Sequence, residues 1–261
     1  MEQSEYNIVT QDRYLQYRQK AYEILGEIGL PPNLITYKHI INHFKKKYII
    51  KFVLFDLENP EVEIQPKINN YFGKLLNTNK IQGVDMEFIK KCSGMIIPNK
   101  NKYVIMINQS SGYLERIIFT VLHELSHIHC HLQGNINRIY MSLNNEMMVG
   151  DYPTELQSFE DEANIVASIL YLPDEAIVDL ITKGYNYHDI QEEIKISNTA
   201  LFNRLRNFLI YNNINVRELC LHLIRFVSNL THGCVLVSQN IATTFTFIST
   251  GKYSNLHLIF Q

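Results

Sequence analysis

Between Thr120 and Gly134 the chain reads TVLHELSHIHCHLQG, and within it His123, Glu124 and His127 form the pattern H-E-x-x-H. Residues four apart on a helix share a face, so His123 and His127 can offer imidazole nitrogens to one ion, and Glu124 can approach a water held there. Zinc (Zn2+) suits such a set. Two neutral nitrogens and one carboxylate leave a fourth position open, where water becomes acidic enough to attack a polarised peptide carbonyl. Glu124 would accept that water's proton and hand it to the leaving amine. The bare pattern recurs by chance, and its setting strengthens it. Ile117, Ile118, Val121 and Leu122 precede it, Leu125 and Ser126 inside it are uncharged, and Gly134 can end the helix.

The third ligand has several claimants. His131 lies four residues past His127 and shares its face, whereas His129 falls on another; both read as structural or surface histidines. The metzincin spacing is excluded, because the glycine and histidine it needs are replaced by Cys130 and Gln133. A glutamate from a second helix is the other source, and Glu160, Asp161 and Glu162 stand together in FEDEAN. Phe159, Ala163, Val166 and Leu170 mark the apolar stripe there, with Glu160 and Glu162 on its two shoulders and Asp161 outermost, so helical phase does not separate the two glutamates.

Elements on either side must position these groups. The spacing predicts a helix over Asp12 to Gly29, with Tyr14, Tyr17, Ala21, Ile24 and Leu25 on its inner face, and a second from about Ile35 to Lys46. The β-branched and aromatic run KYIIKFVLFD reads as a strand, and MIIPNKNKYVIMIN as two strands joined at Asn99 to Lys102. After Gly134 a polar loop of about twenty residues is expected to adjoin the site, before a helix that Pro173 stops. Helices follow at Asp174 to Lys183, Tyr187 to Ile194, Asn198 to Ile210 and Asn215 to Asn229, and the tail from Gly233 turns β-like.

The composition fits one large globular domain with an appendage: 261 residues, 46% hydrophobic and 19% charged. With 24 basic against 26 acidic residues the formal charge is -2, so no global field calls for nucleic acid or an anionic membrane. Arg204 and Arg206 read as a solvated helix face, which makes direct nucleic-acid binding an unfavoured reading. The first residues lack a signal-peptide pattern and the run LCLHLIRFV is broken by His222 and Arg225, so a soluble, cytoplasmic protein with no membrane partner is expected. Cys92, Cys130, Cys220 and Cys234 form no C-x-x-C pair and read as reduced structural residues.

Two ordered blocks carry a resemblance. ERIIFTVLHELSHIH followed by FEDEANIVASILYLP resembles the ImmA/IrrE family of zinc metallopeptidases, whose pattern is I-N, then R-x-x-F-T-x-x-H-E-x-x-H, then E-x-E-A-N-x-x-A-x-x-L-x-x-P. Ile107-Asn108, Arg116 to Thr120 and the whole second block supply it, and ISNTALFNRLRNFLI is similar to the family's downstream V-S-x-x-A-L-x-x-R-L, so the likeness spans roughly Ile35 to Leu209. Ser126 stands where a glycine is usual, and LYLP replaces L-L-M-P. The resemblance implies Glu160 as third ligand, Asn164 as partner of a ligating histidine and Glu162 as the alternative ligand. It also implies an α+β, minigluzincin-like core, a small sheet packed on helices. A metallopeptidase core over 1–195, a helical, helix-turn-helix-like segment over 196–232 and a β-rich tail over 233–261 are therefore expected. The activity implied is zinc-dependent endopeptidase cleavage of a cognate helix-turn-helix repressor, serving a mobile element or stress response. The competing reading is a non-proteolytic antirepressor that sequesters the repressor around a structural metal.

Overall fold

The computed structural model describes residues 9–58, 70–78, 80–99, 102–132, 140–143 and 154–212. Two compact units divide the chain, Met1–Pro173 and Asp174–Gln261. The first is an α+β unit: among the described residues, a five-stranded sheet with helices packed on it.

Helix α1, Gln11–Ile28, buries Tyr14, Tyr17, Ala21, Ile24 and Leu25, the set its spacing predicts. It ends where Gly29 adopts φ 76°, a left-handed conformation that costs glycine little, and donates its N–H to the Gly26 carbonyl. Helix α2, Tyr37–Lys47, begins at a capping box in which Thr36 and His39 satisfy each other's backbone N–H groups.

Strand β1, Ile49–Leu57, is buried continuously from Phe52 to Asp56 because it lies inside the sheet. It pairs in parallel with β2, Ile81–Val84, on one side and with β4, Lys102–Asn108, on the other. Strands β3, Cys92–Asn99, and β4 form an antiparallel pair in which Asn99 faces Lys102, so the sheet is mixed. Burial alternates along both strands: Cys92, Gly94 and Ile96 of β3 and Tyr103, Ile105 and Ile107 of β4 turn inward. Strand β5, Tyr140–Leu143, pairs antiparallel with β3 and completes the order β2-β1-β4-β3-β5. The expected twenty-residue loop is thus interrupted by a strand. Its β-propensity is modest in sequence, and pairing with β3 makes the difference.

Two short helices, α3 (Asn70–Leu76) and α4 (Met86–Lys91), were not visible in the periodicity; α4 is capped by Asp85, whose carboxylate accepts from the Phe88 N–H at 2.8 Å. Helix α5, Leu114–His131, packs on β3 and β4 and carries H-E-x-x-H. Helix α6, Thr154–Tyr171, packs against α5 and α1.

The second unit holds α7, Asp174–Thr182, α8, Tyr187–Ile194, and α9, Asn198–Tyr211. Tyr187 donates its hydroxyl to the Asn198 carbonyl at 2.7 Å, and Arg204 pairs with Asp174, tying α9 to α8 and α7. Helix α9, beyond the boundary expected at 195/196, is held with α7 and α8. The expected helix at Asn215 to Asn229 and the β-like tail from Gly233 lie outside the described residues, as do Gly134, Cys220 and Cys234. Among the described residues no helix is long and apolar enough to cross a membrane.

Candidate metal centre

Helix α5 is buried on almost every side from Thr120 to Ile128, sandwiched between the sheet and α6. An enclosed helix is normally apolar all round. Here its polar side chains converge instead on a second helix that answers them.

His123 Nε2 and His127 Nε2 lie 3.0 Å apart. Glu160 of α6 sets its Oε2 3.1 Å from His123 Nε2 and its Oε1 3.3 Å from His127 Nε2. All three residues are buried, at 4%, 0% and 2% exposure. A tetrahedral zinc ion with ligands at about 2.0–2.2 Å spaces its ligand atoms by roughly 3.3–3.6 Å, close to these separations. The donor chemistry fits as well. His123 Nδ1 meets the Asn164 side-chain oxygen at 2.9 Å, so Nδ1 donates and the lone pair of the neutral ring is on Nε2, facing the other two donors. His123, His127 and Glu160 could therefore hold a metal ion.

Electrostatics agrees with a carboxylate between two imidazoles. Burial would raise Glu160, but its hydrogen bonds to His123 and His127 outweigh that and hold it well below the usual carboxylate range. Burial would lower His123, yet Glu160 carries it above the ordinary imidazole value. For His127 burial prevails, and it is pushed down to about 4.

Glu124 is fully buried and lies against β3. A Cβ built at Gly94 would stand 2.6 Å from Glu124 Oε1 and 2.5 Å from Thr120 Cγ2, so only glycine lets the strand approach this closely. The carboxylate's charge is also felt by Cys92, which burial, with Glu124 adding to it, pushes up to about 12. The strand is fixed in turn by Asn108, whose side-chain amide donates to the Ile89 and Cys92 carbonyls at 3.0 and 2.8 Å. The asparagine of the I-N motif thus has a mechanical part: it locks the α4–β3 junction beside Glu124. Ser126, where glycine is usual, is accommodated by back-bonding its hydroxyl to the Leu122 carbonyl at 2.8 Å.

The two shoulder glutamates of α6 part company. Glu160 turns to His123 and His127; Glu162 accepts from His131 Nε2 at 3.1 Å and pairs with Lys20 of α1 at 2.5 Å. His131 is accordingly neither a surface group nor a member of the donor triad, since its Nδ1 sits 2.8 Å from His127 Nδ1. His129 contacts Glu23 of α1 at 3.4 Å. Tyr171 is buried with its ring edge-on to Tyr37. Sequence reasoning passed over Gly94 because the strand was expected to begin at Met95, whereas it begins at Cys92, and a glycine inside a strand is a signal of close approach.

Arg204 corrects one expectation. It is wholly buried and paired with Asp174 rather than set on a solvated face, which removes it from any phosphate-binding surface. Arg206 is partly buried.

Residues 87–206 match the family model described as the IrrE N-terminal-like domain, Peptidase_M78. No curated protein and no solved structure matches the chain. The matched stretch contains His123, Glu124, His127 and Glu160 together with the strand that abuts Glu124, and over it the chain is similar to the IrrE N-terminal-like peptidase domain.

Proposed function

We propose that this protein is a zinc-dependent endopeptidase that cleaves a cognate helix-turn-helix repressor, with His123, His127 and Glu160 as metal ligands and Glu124 as general base. The observation that carries the reading is the buried triad of donors 3.0–3.3 Å apart, with Glu124, next to His123 on α5, near enough for its charge to act on the His123 ring. An ion held there would supply Lewis acidity, making water a competent nucleophile at neutral pH and polarising the scissile carbonyl. Zinc is the preferred metal for two imidazoles and a carboxylate.

The remaining work falls to the chain's own groups. Glu124 accepts a proton at its carboxylate from the attacking water and delivers it to the departing amine. Its enclosure between α5 and β3 keeps it in one position, which spares the reaction the cost of orienting the base. Asn164 holds the His123 ring by its Nδ1–H, leaving Nε2 for the ion. The repressor as substrate, and a cytoplasmic location, rest on the family resemblance.

The test compares wild type with Glu124→Gln, each loaded with zinc, against the repressor encoded beside it, following fragments by mass. Cleavage by wild type alone, reduced on the order of 100- to 10,000-fold in the variant, is the expected result. Intact repressor bound tightly by both proteins would replace the endopeptidase with a sequestering antirepressor.

A further inference from the structure

The proposed ligand His127 is continued on its far side by a chain of polar contacts that ends outside the family-matched domain. His127 Nδ1 lies 2.8 Å from His131 Nδ1, His131 Nε2 lies 3.1 Å from Glu162 Oε2, and Glu162 Oε1 lies 2.5 Å from Lys20 Nζ. All but the last member are buried: His127 at 0%, His131 at 7% and Glu162 at 8% exposure. Lys20 is on α1, upstream of residues 87–206.

The direction of each hydrogen bond follows from donor and acceptor chemistry. A carboxylate paired with an ammonium accepts only, so His131 Nε2 must donate to Glu162. The neutral ring then has its lone pair on Nδ1, which accepts, and the proton between the two Nδ1 atoms belongs to His127. With its N–H fixed at Nδ1, His127 keeps its lone pair on Nε2. That atom faces Glu160 and His123 Nε2. The reverse tautomer would aim an N–H into the triad and leave two lone pairs opposed at 2.8 Å.

We infer that His131, Glu162 and Lys20 are positioning residues that set the tautomer and ring orientation of His127 for metal binding, making α1 part of the metal site. Ligating histidines commonly donate to a carboxylate directly; here a second imidazole is interposed, which transmits the same constraint one helical turn further along α5. His123 is served by the direct counterpart, Asn164, so each ligand ring has its own orienting partner. The packing agrees with the role: the His131 ring lies between the His127 ring at 5.0 Å and the Phe159 ring at 5.0 Å.

The inference rests on the metal reading above, and its test separates the two. Zinc affinity is measured by chelator competition on the full chain, and the visible absorption of the cobalt(II)-loaded protein reports ligand geometry. For wild type, His131→Phe, His131→Gln, Glu162→Gln and Lys20→Met, circular dichroism checks the fold. Phenylalanine removes both hydrogen bonds, whereas glutamine can still accept from His127 and donate to Glu162. The expected result is a zinc affinity about 10- to 100-fold weaker in His131→Phe with an altered cobalt spectrum, largely restored in His131→Gln, and a smaller loss in Lys20→Met. Long-range nitrogen–proton correlation on the zinc-loaded wild type should place the ring protons on His127 Nδ1 and His131 Nε2.

Wild-type binding with unchanged affinity and spectrum in His131→Phe would overturn the relay and leave the metal reading standing. Equal losses in the Phe and Gln variants would overturn it in favour of packing alone. Should His131→Phe not fold, the Lys20→Met affinity and the wild-type ring protonation decide: no change in the first, or the opposite tautomer in the second, overturns the relay. Failure of the wild type to bind zinc or cobalt would remove the relay together with the metal reading.

Discussion

Two buried clusters of ionisable side chains sit in the two units, and they are built on opposite principles. In the second unit Arg204, fully buried, meets Asp174 across α9 and α7, and one cation faces one anion. In the first unit two imidazoles and a carboxylate converge, with further groups beyond them turning the rings so that lone pairs point inward. The pair sets a positive group against a negative one; the triad presents three electron-pair donors to one point. The difference is that between a polar contact that serves folding and a group of donors that could hold a cation.

The contrast can be broken at the triad first. Glu160→Ala should weaken zinc binding on the order of a thousandfold, a ligand's share of the roughly 10–16 kcal/mol a zinc site can supply, measured by chelator competition. Zinc should also raise the melting temperature of wild type and fail to raise that of the variant. A wild-type melting curve indifferent to zinc would erase the distinction between the clusters.

At the closed pair the expected response is structural and blind to metal. Arg204→Met strands Asp174 in the interior and should cost about 3–5 kcal/mol, read by denaturant unfolding, whereas combining it with Asp174→Leu should recover most of that loss. Zinc affinity should be unchanged in both proteins, because every member of the donor triad belongs to the other unit.

A finer cut separates the base from the ligands. Gly94→Ala places a methyl group against Glu124 and Thr120 and should reduce peptide cleavage roughly 100-fold, the scale of a misplacement near 1 Å, with zinc affinity intact. Loss of zinc in parallel would mean that β3 positions the whole cluster rather than Glu124. The smallest effect concerns the thiols. Cys92 and Cys130, each pushed up to about 12 chiefly by burial, should resist alkylation in the native protein near pH 8, as peptide mapping by mass would register. Rapid modification of Cys92 would show that the packing around it opens in the native protein.

Much of this was legible in the residues, for reasons that particular elements make clear. Helix α1 was readable because its five inner positions recur at helical spacing and Gly29 ends it; β3 and β4 because alternation marks a strand pair with one covered face. Helix α3, β2, α4 and β5 were not, since elements of four to seven residues hold too few turns or alternations to show a period, and pairing partners far along the chain decide them. His123, Glu124 and His127 were readable because their spacing is a property of one helix, and Glu160 was nameable through the second block only by resemblance.

What the sequence by itself determined is the local geometry: which side chains share a face of α5, where helices start and stop, and that Glu160 and Glu162 flank one stripe of α6. Only the tertiary structure decided between those two glutamates. The crossing of α5 and α6 puts Glu160 level with His123 and His127, and Glu162 level with His131 and Lys20. Helical phase fixes direction around a single axis, whereas the height and angle at which two helices meet depend on the packing of all the side chains between them.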